Sequence, residues 1–425
     1  MSTSTIVGAL ACQKNSFLKS FTTRVIASSE IVPPPTSKDK QTQNNERRKE
    51  FAVELEDTIL FPEGGGQPFD QGTIILPDNK TIQVKSVLRE NLRAIHLVDE
   101  LIGPGTKVDL KLNWSRRIDI MQQHTGQHLL SAVFDTYDLE TLSWSMGESE
   151  LNYIELPKKI DDTIISQVQD KVDELIIENL PIKVVTPEDH GEEIDTSHIP
   201  DDYDTSKGII RIVKIGDLDA NPCCGTHLQT TGQIQSIVLL HQSPIRGGHS
   251  RLYFTCGSRV SKYLKKQNDF LKNAGAQLSC AIEDVCDKIE LLNANYKKSI
   301  STNNNLLKEL ANIEAKKLVE TFKSKDAAYV YRDDASDYLS IVQKELSTLI
   351  NSNKEDIDLK SKHTLILLNN SMIKVLGPKS EEIQKEMKQR ITNLKGGGKG
   401  TSFQGKILKF EKGELKNVLL YLDSL

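Results

Sequence analysis

The ten residues Gln123-His124-Thr125-Gly126-Gln127-His128-Leu129-Leu130-Ser131-Ala132 carry a helical period inside a region that is otherwise strand-like. Ile120, His124, His128 and Ala132 recur every fourth residue, which sets them on one face of a helix. Two histidines one turn apart on such a face are close enough to bind one ion. A polar surface stripe would give the same spacing. A second helix is predicted over Ile164–Ile177, and strands over 209–215, 233–240 and 251–255, so that an α+β domain ends near residue 258.

Toward the N-terminus the pattern shortens to period two. Thr73–Leu76, the turn Pro77-Asp78-Asn79 and Thr81–Val84 read as a hairpin, and Lys107–Leu112 alternates as a half-buried strand does. This points to a β-rich, barrel-like domain over residues 1–115. Met1 to Ser29 has no acidic residue, as an import presequence would, but Phe21–Ile26 has the β-propensity of a first strand, and that reading is preferred. The proline-led polar run over 31–50 reads as a surface loop. Toward the C-terminus, Ile282, Val285, Ile289, Leu292 and Tyr296 step 3,4,3,4, and the phase returns at Leu306, Leu310 and Ile313. Heptad spacing over 259–323 predicts a helical hairpin or a short coiled coil, and hence either an internal seam or a homodimer. Strands at 327–331, 365–368 and 373–376 with helices at 340–350 and 381–392 predict a small α/β domain over 324–425. The overall expectation is an α+β protein of four parts, the zinc-binding part being 116–258.

Bulk properties narrow the function. With 425 residues, 37% hydrophobic and 27% charged, the chain has an ordinary globular composition, and no apolar run reaches the roughly 18 residues of a membrane span. No membrane partner is expected. Six cysteines do not make a disulfide scaffold, which favours a cytoplasmic location. The net charge of -5 argues against nucleic-acid binding through bulk charge. It leaves room for a local basic face, and Lys385, Lys388, Arg390, Lys395, Lys399, Lys406 and Lys409 lie near one another. A solvated helix face would look the same.

Cys223-Cys224-Gly225-Thr226-His227 supplies what the histidine pair lacks. Cys223 and His227, four apart in a tight turn, complete with His124 and His128 a set of N and S ligands suited to one tetrahedral Zn²⁺ per chain. A metalloprotease helix would need Glu at position 125, which is Thr. A purely structural site would also fit the ligand types. The pairs lie about a hundred residues apart in a domain with room for its own core, which leaves the metal freer for catalysis.

These motifs, with Glu63-Gly64-Gly65-Gly66-Gln67-Pro68, Thr231-Gly232-Gln233-Ile234 and Arg251-Leu252-Tyr253-Phe254, resemble the editing domain of alanyl-tRNA synthetase and its stand-alone AlaX relatives. The resemblance covers about residues 10–258. One position departs from the family's Cys-Gly-Gly-Thr-His: Cys224 replaces a glycine, placing a second thiol beside the site. The C-terminal part resembles the family's long form, in which a helical segment leads to a domain that helps hold tRNA. Gly396-Gly397-Gly398-Lys399 is similar to its glycine-rich signature, though Gly400–Phe403 departs from it. That stretch is read either as a phosphate cradle or as a turn between helix and strand.

The resemblance implies a trans-acting hydrolase that deacylates mischarged tRNA(Ala), Ser-tRNA(Ala) first and Gly-tRNA(Ala) second. The fifty residues before Phe51 leave no space for an aminoacylation domain. A zinc-stabilised tRNA-binding module without catalysis and a metallohydrolase of small esters or amides are the alternatives. Readers of the seryl hydroxyl would be Thr125, Gln67 and the Ser143-Trp144-Ser145 stretch, with Thr125 and Gln67 as the catalytic candidates and Ser145 as a substrate contact. Gly64, Gly65 and Gly66 would let backbone approach the tRNA terminus. Arg246 and Arg251 would touch phosphates, as would Lys399. The histidines at 96, 190, 198, 241 and 363 read as structural or surface residues.

Overall fold

The computed structural model describes residues 3–31, 49–147, 151–186, 209–334, 337–353 and 356–425. Pro33–Pro35, His190 and His198 lie outside them. Two compact units are present, Met1–Leu271 and Lys272–Leu425.

The first unit opens with the short helix α1 (Ala11–Lys14) and seven strands: β1 (Ser20–Ile31), β2 (Glu50–Leu55), β3 (Gly72–Ile75), β4 (Thr81–Val84), β5 (Ser86–Glu90), β6 (Arg93–Val98) and β7 (Lys107–Leu112). They form one antiparallel sheet in the order β4-β3-β7-β1-β2-β6-β5. β1 lies at its centre, paired through Val25↔Leu55 on one side and Ser20↔Lys111 on the other, so Phe21–Ile26 is strand. No ladder among the described residues closes the sheet, so the barrel-like expectation is met without closure. The two edges, β4 and β5, are nevertheless separated by Lys85 alone, whose N–H donates to Leu97 O at 2.8 Å. They are two halves of one bent strand that leaves one side of the sheet and joins the other. Alternation decides which face is buried: β7 buries Val108, Leu110 and Leu112 and exposes the residues between, and these pack with Val25, Val53, Ile74 and Val87.

Asn113 then caps α2 (Trp114–Asp135), its side chain accepting from Arg116 N. Every residue from Ile120 to Phe134 is buried. A helix buried on all sides must find internal partners for its Gln, His, Thr and Ser side chains. Around it stand β8 (Ser143–Ser145), β9 (Asn152–Leu156), α3 (Asp162–Glu178), β10 (Ile182–Val185), β11 (Ile212–Ile215), β12 (Asp219–Pro222), β13 (Ile237–Pro244) and β14 (Ser250–Cys256). The strands form a four-stranded sheet, β13-β14-β9-β8, and a three-stranded one, β10-β11-β12. The strand expected over 233–240 starts only at Ile237, because Thr231–Ile234 is a 3-10 turn. Thr231 Oγ1 donates to Leu175 O at 2.7 Å and accepts from Leu180 N at 2.8 Å, which pins that turn against α3.

α4 (Ser258–Leu278) leads out of this unit, and α5 (Val285–Phe322) is one continuous 38-residue helix. Its last third packs Ala311, Ala315 and Leu318 into a core with α6 (Tyr338–Asn353). The heptad stripe Ile289, Leu292, Tyr296, Leu306, Leu310 and Ile313 is exposed among the described residues. The rest of the second unit is β15 (Ala327–Tyr331), β16 (Thr364–Leu368), β17 (Met372–Leu376), α7 (Ser380–Arg390), β18 (Leu394–Lys399), β19 (Ser402–Ile407) and α8 (Glu414–Asp423), the sheet running β15-β16-β17-β19-β18. Gly396–Lys399, expected as a loop, is strand β18. Gly396 and Gly398 pack closely on β19, where a Cβ would lie 2.4 Å from Gln404 O and 2.0 Å from Ser402 O, while Gly397 between them faces open space. No helix among the described residues is long and apolar enough to cross a membrane.

Candidate metal centre

α2 and the turn after β12 bring His124, His128, Cys223 and His227 together, their ligand atoms all within 4.8 Å of one another. Cys223 Sγ lies 3.3 Å from His124 Nε2 and 3.2 Å from His227 Nε2. A tetrahedral Zn²⁺ with bonds of about 2.0–2.3 Å needs ligand atoms roughly 3.3–3.8 Å apart. Three imidazole nitrogens and one sulfur at this spacing fit such an ion with only small adjustment.

The surroundings prepare the ligands. Gln67 is clamped to Thr226: its Nε2 donates to Thr226 Oγ1 and its Oε1 accepts from Thr226 N, both at 2.9 Å. That fixes Gln67 Oε1 as the group 2.8 Å from His124 Nδ1. An oxygen can only accept, so the proton sits on Nδ1 and Nε2 faces the cluster with its lone pair free. Thr125 Oγ1 accepts from Leu228 N at 3.1 Å and lies 3.4 Å from His227 Nδ1, which directs the other nitrogen of that ring toward Cys223. Burial, followed by the neighbouring imidazoles, holds His124 and His227 well below the ordinary histidine range, and burial alone brings His128 down to about 4. The rings are neutral, as metal ligands must be. Burial, with Cys224 adding to it, pushes the Cys223 thiol up to about 12, while the Gly225 N–H on its sulfur and the Arg211 charge pull the other way.

The turn is held from behind by residues with no obvious sequence signal. Arg211, almost fully buried, donates to Cys223 O at 3.2 Å, Gly225 O at 2.9 Å and Gln13 O at 2.9 Å. Gln13 Nε2 donates to Cys224 O at 2.6 Å, and Ser16 Oγ donates to His227 O at 2.7 Å. Asp70, just beyond the glycine loop, accepts from Arg117 Nε at 3.0 Å and from Phe61 N at 2.7 Å, which ties that loop to α2. Arg117 lies two turns before His124, a spacing that could have flagged it.

Gly65 and Gly66 take positive φ values of 58° and 75°. The Trp144 ring rests on Gly66, where a Cβ would meet it at 2.7 Å, and lies 5.2 Å from the His124 ring. Gly64–Gly66, Gln67, Thr125 and Trp144 thus share the neighbourhood of the four ligands. Ser145 sits opposite Tyr153 at the outer edge of the four-stranded sheet. Arg251 is two strands inward, in register with Glu155 and stacked 4.4 Å from the Tyr153 ring, and Arg246 is exposed on the β13–β14 turn. Lys399 is exposed in the second unit. Of the remaining histidines, His96 is buried against Thr58 Oγ1 and Val53 O, His363 lies edge-on to Phe322, and His241 stacks on Tyr253.

Comparison with known proteins agrees with this geometry. Residues 210–253 match the threonyl and alanyl tRNA synthetase second additional domain, which includes Cys223 and His227. The AlaX protein of Saccharomyces cerevisiae is 38% identical, over 98% of this chain and 97% of its own. The alanyl-tRNA editing protein Aarsd1 of Mus musculus is 32% identical over 97% of both chains. The alanyl-tRNA editing protein AlaX-L of Pyrococcus horikoshii is 30% identical over 84% of this chain and 87% of its own. Matched end to end at these identities, and built around the ligand cluster described above, the chain belongs to the family of alanyl-tRNA editing proteins.

Proposed function

We propose that this protein hydrolyses the ester of mischarged tRNA(Ala) in trans, with serine as the main amino acid removed and glycine as the second, and that it does so with one Zn²⁺ held by His124, His128, Cys223 and His227. The observation that carries the reading is the Gln67–His124–Cys223 arrangement, a preset ligand cluster under a glycine loop of positive φ. When bound, the ion supplies Lewis acidity to polarise the ester or a water. The protein's residues orient and enclose. Gln67 and Thr125, considered first as hydroxyl readers, have their polar groups committed to His124, Thr226, His227 and Leu228, and serve as positioning residues. Gly64–Gly66 leave the backbone open to the tRNA terminus. Trp144 covers the face of His124 and keeps water from it.

The second unit supports the tRNA part of the reading. On the β18–β19 hairpin Lys395 stands directly opposite Lys406, and Lys399 projects from the same exposed face. Like charges directly opposite are unfavourable unless an anion lies across them, and a tRNA phosphate is that anion. Arg246 and Arg251 are assigned to acceptor-stem phosphates on the first unit. The four-part division at residues 115, 258 and 323 belongs to the same reading; separate apolar clusters over Val7–Leu112 and Met121–Cys256 support its first boundary, whereas one cluster joins Ala311–Phe322 of α5 to Ala328–Leu367 across its last. A homodimer through α5 belongs to the reading too. A cytoplasmic location completes it.

The deciding experiment compares deacylation of seryl-tRNA(Ala) and alanyl-tRNA(Ala) by the zinc-loaded chain and its Cys223→Ala variant. Rapid loss of serine, spared alanine and an inactive variant are expected. Retention of both esters by protein with zinc bound would leave a tRNA-binding module as the better account.

A further inference from the structure

Nearly every polar side chain on the buried stretch of α2 has its hydrogen bonds filled from within. Gln123 gives its oxygen to Asn152 Nδ2 at 2.9 Å and Cys256 N at 3.0 Å, and its amide nitrogen donates to Cys256 O at 3.0 Å. Ser131 is bonded to Thr141 Oγ1 at 2.7 Å. Thr125 and His124 are occupied as described. Gln127 is the exception. Its Nε2 donates to Ser131 Oγ at 2.9 Å, which anchors that end of the amide, while Oε1 is buried without a protein partner and the residue is only 6% exposed. Asn152 Oδ1 and Thr255 Oγ1 also lack partners, but they lie on the sheet strands that pack near Gln123, a turn earlier on α2.

Position makes Gln127 the informative one. It precedes His128, which at 9% is the most accessible of the three ligand imidazoles, against 0% for His124 and 3% for His227. It also stands three residues after His124 on α2, the spacing that sets two side chains side by side on one helix face, and so beside a ligand of the cluster. Through Ser131 and Thr141 it is linked to the segment that runs into β8 and Trp144. A buried acceptor with no donor is costly, and such a group is retained where a ligand supplies the donor.

We infer that Gln127 Oε1 accepts the side-chain hydroxyl of the seryl group, and so makes Gln127 the residue that separates serine from alanine. This rests on the editing reading above. An alanyl methyl would meet the same oxygen with nothing to donate, and a site that expects a hydroxyl rejects the analogue lacking it. Glycine leaves space for a water to make the same bond. The α-ammonium is common to all three esters and cannot discriminate among them.

The test measures single-turnover deacylation of seryl-, glycyl- and alanyl-tRNA(Ala) by the zinc-loaded full chain and by its Gln127→Met and Gln127→Glu variants. Gln127→Met is expected to lower the seryl-to-glycyl and seryl-to-alanyl rate ratios roughly tenfold or more, while Gln127→Glu, which keeps an acceptor oxygen, restores much of the preference. Ratios are read whatever the absolute rate, so partial loss of zinc does not mask the result. An equal fall for all esters would assign Gln127 to the ammonium or to packing and overturn the inference, and so would unchanged ratios. A wild-type chain that hydrolyses none of the three overturns the editing reading itself, which is a separate outcome.

Discussion

A single hydrogen atom separates the cluster from failure at position 225. A Cβ there would lie 2.3 Å from His124 Cε1 and 2.6 Å from Gln67 Oε1, so no side chain fits without moving a ligand or its support. Gly225→Ala is expected to fold and to lose most of its zinc by elemental analysis. Gln67→Met, which removes the hydrogen bonds to His124 and to Thr226, should weaken metal affinity about 10–100-fold in a chelator competition. His96 gives a residue-level prediction of a different kind. It is buried, and burial lowers it to about 4 from 6.5, its Val53 O contact opposing. Between those values the unfolded chain takes up a proton that the native state refuses, so stability falls as pH drops below 6.5 and levels off near 4. By denaturant unfolding, the wild type should lose about 2 kcal/mol more than His96→Gln between pH 7.5 and pH 5. If the two proteins show the same pH dependence, His96 is not the buried neutral group described. At this scale the sequence displayed the ligands, because i,i+4 spacing is local. It hid Arg211, because the carbonyls that hold its buried guanidinium, Cys223 O, Gly225 O and, 198 residues away, Gln13 O, are brought together only by the fold.

Among the elements, the β18–β19 hairpin carries the clearest expectation. Replacing Lys395 and Lys406 by Ala should weaken tRNA binding and reduce the slope of log K against log salt by about 1 for each phosphate that is no longer neutralised. Filter binding at several salt concentrations measures this, and an unchanged slope would remove the hairpin from the tRNA surface. This hairpin is also where sequence reading failed, because three successive glycines signal a turn by propensity. Here Gly396 and Gly398 serve close strand approach instead, and only the pairing partner β19 reveals it. α2 was legible for the opposite reason: its period is set by its own residues. The strands with alternating burial, such as β3, β4 and β7, were legible too. β8, three residues long, offers too few residues for a period to show, and β12, Asp-Ala-Asn-Pro, has neither apolar alternation nor strand-forming residues.

For the molecule as a whole, the exposed stripe of α5 sets the question of assembly. Six large apolar residues in heptad phase, each at least 42% exposed, are expected to pair with the same stripe of a second copy. Sedimentation equilibrium of the full chain should give a dimer, and Leu306→Glu with Leu310→Glu should give a monomer of unchanged helix content. A monomeric wild type would leave the stripe to a different partner.

The bend at Lys85 bears on how this protein behaves in a crowded solution. An open sheet ends in rows of unpaired amides and carbonyls, and such rows recruit strands from other chains into aggregates. In the seven-stranded sheet the two ends are four and five residues long and run into each other through Lys85. A foreign strand finds no long straight edge on which to add. Resistance to aggregation by strand addition in this sheet therefore follows from its corner.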